Sequence, residues 1–288
     1  MKVYLDCFPC FMRQALDAAR MATDDLSVQR EVLDRVARVL PAVPLDATPV
    51  EIGQKVHRTV REITGVADPY RAVKKKSNDI GVSLYPGLKA RVERAADPLL
   101  AAIKIAGAGN IIDFGPKVKI NFDSVGFVND ALAAPVDEGA YRVFTEKLQD
   151  ADRILYIGDN AGEIVCDKIL IEILVSRGKS VTFVTRGSPT LNDVTLEDAF
   201  YVGIDKLAEV ITTGSDAPGI VFSDASPEFI SAFRKASFVI SKGQGNYEGL
   251  SDVDGSIFFL FKVKCPVIAR DAGAEIGSVV LKWSGADD

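Results

Sequence analysis

The chain has 288 residues, of which 48% are hydrophobic and 26% are charged, with a formal net charge of −6. This composition is typical of a globular protein and excludes a disordered chain, a collagen and a small disulfide scaffold. The negative charge disfavours nucleic acid and anionic membranes as partners, although a small anionic ligand is still compatible with it. No apolar run reaches the ~18 residues of a membrane span, and the first residues lack the apolar core of a signal peptide. We therefore expect a cytoplasmic protein whose four cysteines are not paired in disulfides.

The first third of the chain shows helical periodicity. Thr48, Pro49 and Glu51 form a capping-box sequence with proline at the first helical position. The lysines at 74–76 are expected to lie on a solvated helix face. Apolar spacing predicts helical segments over residues 11–22, 26–40, 49–63, from 68 onward, and from 85 to about 105. These segments predict a helical bundle that forms an N-terminal subdomain, residues 1–106.

Beyond Arg153 short apolar runs alternate with helical stretches. The runs predict strands at 154–157, 181–184, 210–212, 238–240 and 266–269, with further strands at 258–261 and 279–281. The helical stretches are 163–176, 196–207 and 227–235. Such alternation indicates βαβ units and a mainly parallel sheet with both faces covered. The predicted fold is therefore α/β: a three-layer α/β/α sandwich over residues 107–288, with the domain boundary somewhere within 107–150.

Residues 158–163 (GDNAGE) directly follow the first predicted strand. Ligands of open α/β sheets bind beyond the carboxyl ends of the strands, and the helix N-terminus there favours an anion. The acidic side chains of Asp159 and Glu163 oppose a phosphate alone, whereas a hard divalent cation between carboxylate and phosphate would accommodate both. The alternative is that Asp159 or Asn160 is an ordinary helix cap.

Two more polar loops follow predicted strands. In the loop 185–195 (TRGSPTLNDVT), Asp193 is expected to reach the same crevice, with helix capping again the alternative. In residues 242–248 (KGQGNYE), Lys242 stands beside two glycines. Exposed backbone N–H groups and one mobile cation suit a phosphate. Three polar loops at one edge of the sheet therefore predict a ligand site.

Two glycine-containing motifs do not support nucleotide binding. Residues 178–180 (GKS) precede a strand instead of a helix, and residues 107–110 (GAGN) follow no strand. Asn110 and Asp113 are nevertheless polar residues in an apolar stretch, and we expect them to line the cleft from the helical side.

The motifs at 158–163, 192–195 and 242–248 resemble, in this order and spacing, those of the damage-control phosphatases with the protein-glutamate methyltransferase-like metal-binding domain. Residues 7–10 (CFPC), 68–70 (DPY) and 109–113 (GNIID) are similar to the short prokaryotic branch of that family. The resemblance implies the family fold, an α/β/α sandwich with a helical N-terminal subdomain.

The resemblance also implies an activity, the hydrolysis of small phosphomonoesters such as sugar phosphates or damaged phosphometabolites. Asp159, Asn160 and Asp193 would hold one divalent metal ion (Mg, Mn, Co or Ni), and Lys242 would grip the phosphate. A metal neutralises charge at the phosphoryl group and positions water, and lysine adds electrostatic stabilisation. Asp159, Asn160 and Lys242 are the candidate catalytic residues, and whether Asp159 is nucleophile, base or ligand is open. The candidate substrate-binding residues are Asn110, Asp113, Glu163, Lys242 and Gly243.

The N-terminal cysteines form a second motif. Cys7 and Cys10 have the spacing of half a structural zinc site. His57, with Cys265 as a further candidate, would complete a second, soft-metal site. The alternative is two thiols at a helix start and a buried histidine.

Two other functions are compatible with the pattern. The GDNAG turn lies where S-adenosylmethionine-dependent methyltransferases bind their cofactor, but Thr185 and Arg186 follow the second strand where an acidic residue is expected. The same crevice would also suit a non-catalytic protein that binds a phosphorylated metabolite. A small phosphorylated metabolite is the expected partner in either phosphate-based interpretation, and the sequence leaves the oligomeric state open.

Overall fold

The structure is a computed structural model that describes residues 1–109 and 124–285. The first helices are α1 (Cys7–Ala22), α2 (Leu26–Val39), α3 (Pro49–Thr64), α4 (Arg71–Glu93), α5 (Pro98–Ala108), α6 (Ser124–Ala133) and α7 (Glu138–Asp150). The strands are β1 (Arg153–Ile157), β2 (Ser180–Thr185), β3 (Glu209–Thr212), β4 (Phe238–Lys242), β5 (Ile257–Lys262) and β6 (Val279–Trp283). The helices between them are α8 (Ile164–Ser176), α9 (Leu196–Val202), α10 (Pro227–Lys235), α11 (Gln244–Leu250) and α12 (Pro266–Ala272). Asn110 and Asp113 lie outside the described residues.

The strands form one sheet in the order β3-β2-β1-β4-β5-β6. The first five strands pair in parallel, and β6 pairs antiparallel with β5. The chain moves outward from β1 to β3 and then returns to β4 on the other side of β1. Such a reversal of strand order opens a crevice at the carboxyl ends of the two strands where ligands bind. The sheet therefore places the candidate site between β1 and β4.

Apolar residues from the strands pack against helices on both faces of the sheet. Phe258 and Leu260 of β5 belong to the core that includes α5, α7 and α8, whereas Phe259 and Phe261 belong to the opposite core with α11 and α12. This period-two alternation buries both faces of the strand. A separate apolar cluster joins α1, α2 and α3. The predicted α/β sandwich with N-terminal helices is thus confirmed, whereas the division near residue 107 stays a prediction.

Local sequence signals set several helix ends. The capping box that the sequence predicts is present, since Thr48 Oγ1 accepts from the N–H of Glu51, whose carboxylate accepts from the N–H of Thr48. A second capping box, of Thr195 and Asp198, opens α9. Gly203, at φ 77°, ends α9 at Val202, so the helix predicted over 196–207 is shorter than expected.

Two elements predicted at prolines are wrong. The apolar run at 266–269 is the start of α12, with Pro266 at its first position, because proline fits the first turn of a helix. Tyr85 does not open a new segment, since α4 continues through Pro86 to Glu93. Proline removes the bond to the carbonyl four residues earlier, and that residue, Val82, is 43% exposed to water.

Lys74 does not lie on a solvated face. Its side chain is buried, and Nζ is 3.2 Å from carboxylate oxygens of both Asp68 and Asp198. Both carboxylates come from outside α4, so the periodicity of α4 alone did not reveal them. Within the described ranges no helix combines the length and the apolar character needed to cross a membrane.

Candidate functional site

The loops after β1 and β2 are joined by backbone hydrogen bonds. The N–H of Ala161 donates to the carbonyl of Asn192 (2.9 Å), and the N–H of Val194 donates to the carbonyl of Asp159 (2.8 Å). These bonds form an antiparallel bridge between Asn160 and Asp193. The structure therefore brings together the three residues that the sequence suggests as metal ligands.

None of the three residues caps a helix. The N-cap of α8 is Glu163, which makes no side-chain capping bond, and α9 is capped by Thr195. The alternative that Asp159, Asn160 or Asp193 is an ordinary cap is therefore wrong. Their positions have to be explained by something other than helix ends.

Asp159 is buried near two other carboxylates, Glu163 and Asp193, and near the cations Lys264 and Arg186. Its pKa is raised well above the usual range, first by burial and then by the charges of Glu163 and Asp193. The Nδ2 group of Asn160 donates a 2.7 Å hydrogen bond to Oδ2 of Asp159. Gly243 packs so closely that a Cβ atom there would lie 2.0 Å from the Asp159 carboxylate, and its φ of +79° also favours glycine. The third loop thus forms one wall of the carboxylate site.

Asp193 is held by an arginine that follows β2. Its Oδ2 accepts a 2.6 Å bond from Nε of Arg186, yet burial still raises its pKa. Both terminal guanidinium nitrogens of Arg186 are buried with no hydrogen-bond partner in the described part of the chain. From the sequence alone, Arg186 speaks only against a methyltransferase. Its position at a strand's carboxyl end was a signal for a site residue.

The donor set fits a hard divalent cation. Two buried carboxylates with raised pKa values gain from a nearby positive charge, and oxygen ligands are those that Mg²⁺ and Mn²⁺ prefer. Because Nδ2 of Asn160 is bonded to Asp159, its amide oxygen is the atom suited to a cation. Among residues 1–109 and 124–285 no set of three or more His, Cys, Asp and Glu side chains is arranged to hold a metal. A cation bound here would therefore need the amide of Asn160 as its third protein ligand.

A cavity of about 190 Å³ adjoins the three residues. It is lined by Phe11, Gln14, Pro49, Val50, Gly53, Asp159, Asn160, Leu191, Asn192, Asp193, Pro218, Gln244, Gly245, Glu248 and Lys264. A larger cavity of about 570 Å³ between α4 and α9 contains none of the three. We assign the site to the smaller cavity because the paired carboxylates are there.

Sequence reasoning missed two charged residues of this cavity. Lys264 comes two residues after β5, at the same edge of the sheet, and this position was the available signal. Glu248 accepts a 3.0 Å bond from Nε2 of Gln244, and burial raises its pKa to about 7. The cavity thus holds one lysine and a carboxyl group that exchanges its proton near neutral pH.

Lys242 and Glu163 do not line the cavity. The Lys242 ammonium is fully buried and donates to Glu163, to Asp167 Oδ1 (2.6 Å) and to the carbonyl of Ala106 (2.8 Å). An ammonium has three protons to donate, and these contacts use all of them. The prediction that Lys242 binds the phosphate directly is therefore wrong. This lysine lies outside the cavity, in a buried ion cluster with Glu163 and Asp167.

The second metal site is not assembled. His57 is buried, and its Nε2 atom lies 3.4 Å from Oε1 of Gln14, whose amide group in turn contacts Sγ of Cys10. Cys7 and Cys10 are free thiols whose pKa values are raised by burial. Cys7, Cys10, His57 and Cys265 all lie in the described part of the chain, where no three or more His, Cys, Asp and Glu side chains are arranged to hold a metal. The prediction that Cys7, Cys10 and His57 form a metal site is therefore wrong for this structure. The side chain of Gln14 lies between the His57 ring and the Cys10 thiol.

The buried histidine predicts a pH-dependent stability. Burial and the charge of Arg61 lower the pKa of His57 from 6.5 to about 4. Below pH 6.5 the imidazole of His57 binds a proton in the unfolded chain, whereas in the folded protein it stays neutral until the pH approaches 4. The neutral buried ring therefore contributes fully to stability above pH 6.5, and this contribution is lost as the pH falls towards 4. The full loss is ~3 kcal/mol. Urea denaturation at pH 5 and 7.5 should show a smaller difference for His57→Gln than for the unmodified chain. An equal difference in the free energy of unfolding between pH 5 and 7.5 for both proteins would contradict the role of His57.

The chain is similar to known proteins over nearly its whole length. A model of the family described as the damage-control phosphatase ARMT1-like domain matches residues 3–280. A damage-control phosphatase of Archaeoglobus fulgidus is 34% identical, and the alignment covers 98% of this chain and 99% of that protein. The damage-control phosphatase PH1575 of Pyrococcus horikoshii is 33% identical, with 97% of each chain covered. The uncharacterized protein MJ0202 of Methanocaldococcus jannaschii is 36% identical over 97% of this chain and 95% of its own.

A solved structure shows the same architecture. The crystal structure of the DUF89 family protein PH1575 from Pyrococcus horikoshii has a TM-score of 0.90 and 32% identity, covering 99% of this chain and 100% of that one. The similarity thus extends over the helical part, the sheet and the three loops at its edge. Because the family model and these relatives each span nearly the whole chain, the protein belongs to the ARMT1-like damage-control phosphatase family.

Proposed function

We propose that this protein is a metal-dependent phosphatase that hydrolyses small phosphomonoesters, such as sugar phosphates or damaged phosphometabolites. The observation that carries the proposal is the antiparallel bridge that sets Asp159, Asn160 and Asp193 side by side at the cavity. The names of the relatives as damage-control phosphatases support the same reaction class. The volume of about 190 Å³ favours a small substrate.

Each charged group of the site has a role in this proposal. Asp159, Asn160 and Asp193 would hold the divalent ion (Mg, Mn, Co or Ni), which supplies charge neutralisation and an activated water when bound. Lys264 lines the cavity and provides the positive charge for the phosphate that we had expected from Lys242. Gly243 keeps the third loop against the Asp159 carboxylate.

Proton transfer falls to Glu248 in this proposal. Its carboxyl group lines the cavity without contacting the three metal-binding residues in the described structure, and its pKa is about 7. A group that exchanges its proton near the working pH is the most effective acid catalyst. Glu248 would therefore protonate the leaving alkoxide oxygen of the ester.

The test is phosphate release from a panel of small phosphate esters by chelated protein, with Mg²⁺, Mn²⁺, Co²⁺ or Ni²⁺ added back. We expect release only with metal, and greater release from small sugar phosphates than from esters with bulky groups. No release with any metal would contradict the phosphatase and favour the non-catalytic binding protein. Binding of S-adenosylmethionine in calorimetry would favour the methyltransferase.

A further inference from the structure

One side chain of α4 contacts both the loop that carries Asp159 and Asn160 and the first turn of α9, which directly follows the loop that carries Asp193. Asn78 is 2% exposed. Its Oδ1 atom accepts a 2.7 Å bond from the N–H of Gly162, and its Nδ2 atom donates to Oδ1 of Asp198 at 2.8 Å. The first partner is a donor and the second an acceptor, so together they fix which way the amide points.

One partner lies in a ligand loop and the other in the helix turn that directly follows the second ligand loop. Gly162 comes two residues after Asn160, in the loop between β1 and α8. Asp198 completes the capping box with Thr195, immediately after the loop that carries Asp193, and its Oδ2 accepts from both the N–H and the Oγ1 of Thr195. Asn78 therefore links the end of one ligand loop to the end of the other.

Helix α4 approaches the start of α8 so closely that it requires glycine at position 81, one turn after Asn78. A Cβ atom on Gly81 would lie 2.9 Å from the carbonyl oxygen of Gly162 and 2.8 Å from a methyl group of Val165. Lys74, one turn earlier, pairs with the same Asp198 carboxylate. Over two turns α4 thus contacts the first ligand loop and the start of α9, and Asn78 is the residue that contacts both.

We infer that Asn78 is a positioning residue that holds the Asp159–Asn160 and Asp193 loops at the separation that binding of the metal ion requires. This inference rests on the proposed metal site. Groups that hold metal ligands in place through hydrogen bonds typically change metal affinity 10–100-fold when they are replaced. Asn78 does this through backbone and cap, without itself facing the cation.

Two isosteric substitutions separate the hydrogen bond from electrostatics. Asn78→Asp sets an acceptor against the Asp198 carboxylate and adds a negative charge. Asp198→Asn sets a donor against the amide of Asn78 and removes a negative charge. A purely electrostatic role predicts tighter metal binding in the first variant and weaker binding in the second. A positioning role predicts weaker binding in both, by about 10-fold or more.

The double variant Asn78→Asp/Asp198→Asn reverses the hydrogen bond and keeps the net charge. The new carboxylate at position 78 can accept from Gly162 and from the new amide at 198, whose oxygen can still accept from Thr195 and Lys74. We therefore expect it to recover most of the lost affinity. Mn²⁺ binding is measured directly by titration calorimetry on the full chain, together with thermal melting. If either single variant does not fold, Asn78→Ser replaces it and should show the same loss.

The outcomes are distinct from those of the phosphatase assay. Unchanged Mn²⁺ affinity in both single variants, affinities that move in opposite directions, or no recovery in the double variant would overturn the positioning role. No Mn²⁺ binding by the unmodified chain would overturn the metal site and the positioning role together. Mn²⁺ binding with no phosphate release would overturn only the catalytic proposal.

Discussion

Asp159→Asn is expected to lower metal-dependent phosphate release by ~100-fold or more while leaving the metal-free protein as stable as before or more stable. The loss follows because the substitution removes one of two carboxylates that would bind the ion, and a catalytic metal contributes several kcal/mol at ~1.4 kcal/mol per tenfold in rate. Asparagine keeps the size of the side chain, so the packing of Gly243 against it is preserved.

The expected gain in stability follows from removing a buried charge that is unfavourable in the absence of a metal ion. Burial and the charges of Glu163 and Asp193 raise the pKa of Asp159, so the ionised form destabilises the fold at neutral pH. A neutral amide removes that cost. Such a trade between stability and activity is common where like charges are gathered for function.

The measurement combines phosphate release, Mn²⁺ titration and thermal melting in chelator. Asp205→Asn is the matched control, because Asp205 is exposed and lies outside the three loops. Retained metal-dependent activity in Asp159→Asn would contradict its role as a ligand. A lowered melting temperature together with the loss would show that the substitution had damaged the fold instead.

Lys242→Met is expected to destabilise the protein by about 3–5 kcal/mol, the usual cost of leaving buried charges without their partner. The ammonium offsets the charges of Glu163 and Asp167, and Asp167 also accepts a bond from Tyr156 Oη at 2.7 Å. Burial already raises the pKa of Asp167 to about 6 with the lysine in place. Without the lysine these carboxyl groups have to bind protons or remain charged in an apolar interior.

Urea denaturation at pH 7.5 measures this effect. Lys76→Met, on the exposed face of α4, is the matched control and should change the free energy of unfolding little. Adding Glu163→Gln and Asp167→Asn to Lys242→Met removes the charges left behind and should recover part of the loss. Equal stability of Lys242→Met and Lys76→Met would contradict the structural role of the cluster.

Much of the sheet could be predicted because local pattern and topology agree there. The apolar runs that became β1, β2 and β4 are each followed by polar residues, and parallel strands bring such loops to one edge of the sheet. The bridge between Asn160 and Asp193 therefore follows from strand order more than from either loop alone.

The errors share a different origin, contacts between residues far apart in the chain. The glycine neighbours of Lys242 suggest a mobile phosphate ligand, but Glu163 at the N-cap of α8 and Asp167 in its first turn accept hydrogen bonds from the ammonium. Lys74 was assigned to solvent for the same reason, since Asp198 is contributed by another helix. Short apolar runs such as 266–269 are ambiguous because a strand and one helical turn have similar lengths.

The helical part and the sheet contribute to the cavity in different ways. The candidate metal ligands all come from loops at the sheet edge, whereas α1 supplies Phe11 and Gln14, and α3 supplies Pro49, Val50 and Gly53. In the proposed phosphatase the reacting groups would therefore come from the sheet edge, whereas part of the wall that faces the substrate would come from the first third of the chain. Under this proposal, substitutions in α1 and α3 would change which substrates fit the cavity without altering the candidate metal ligands.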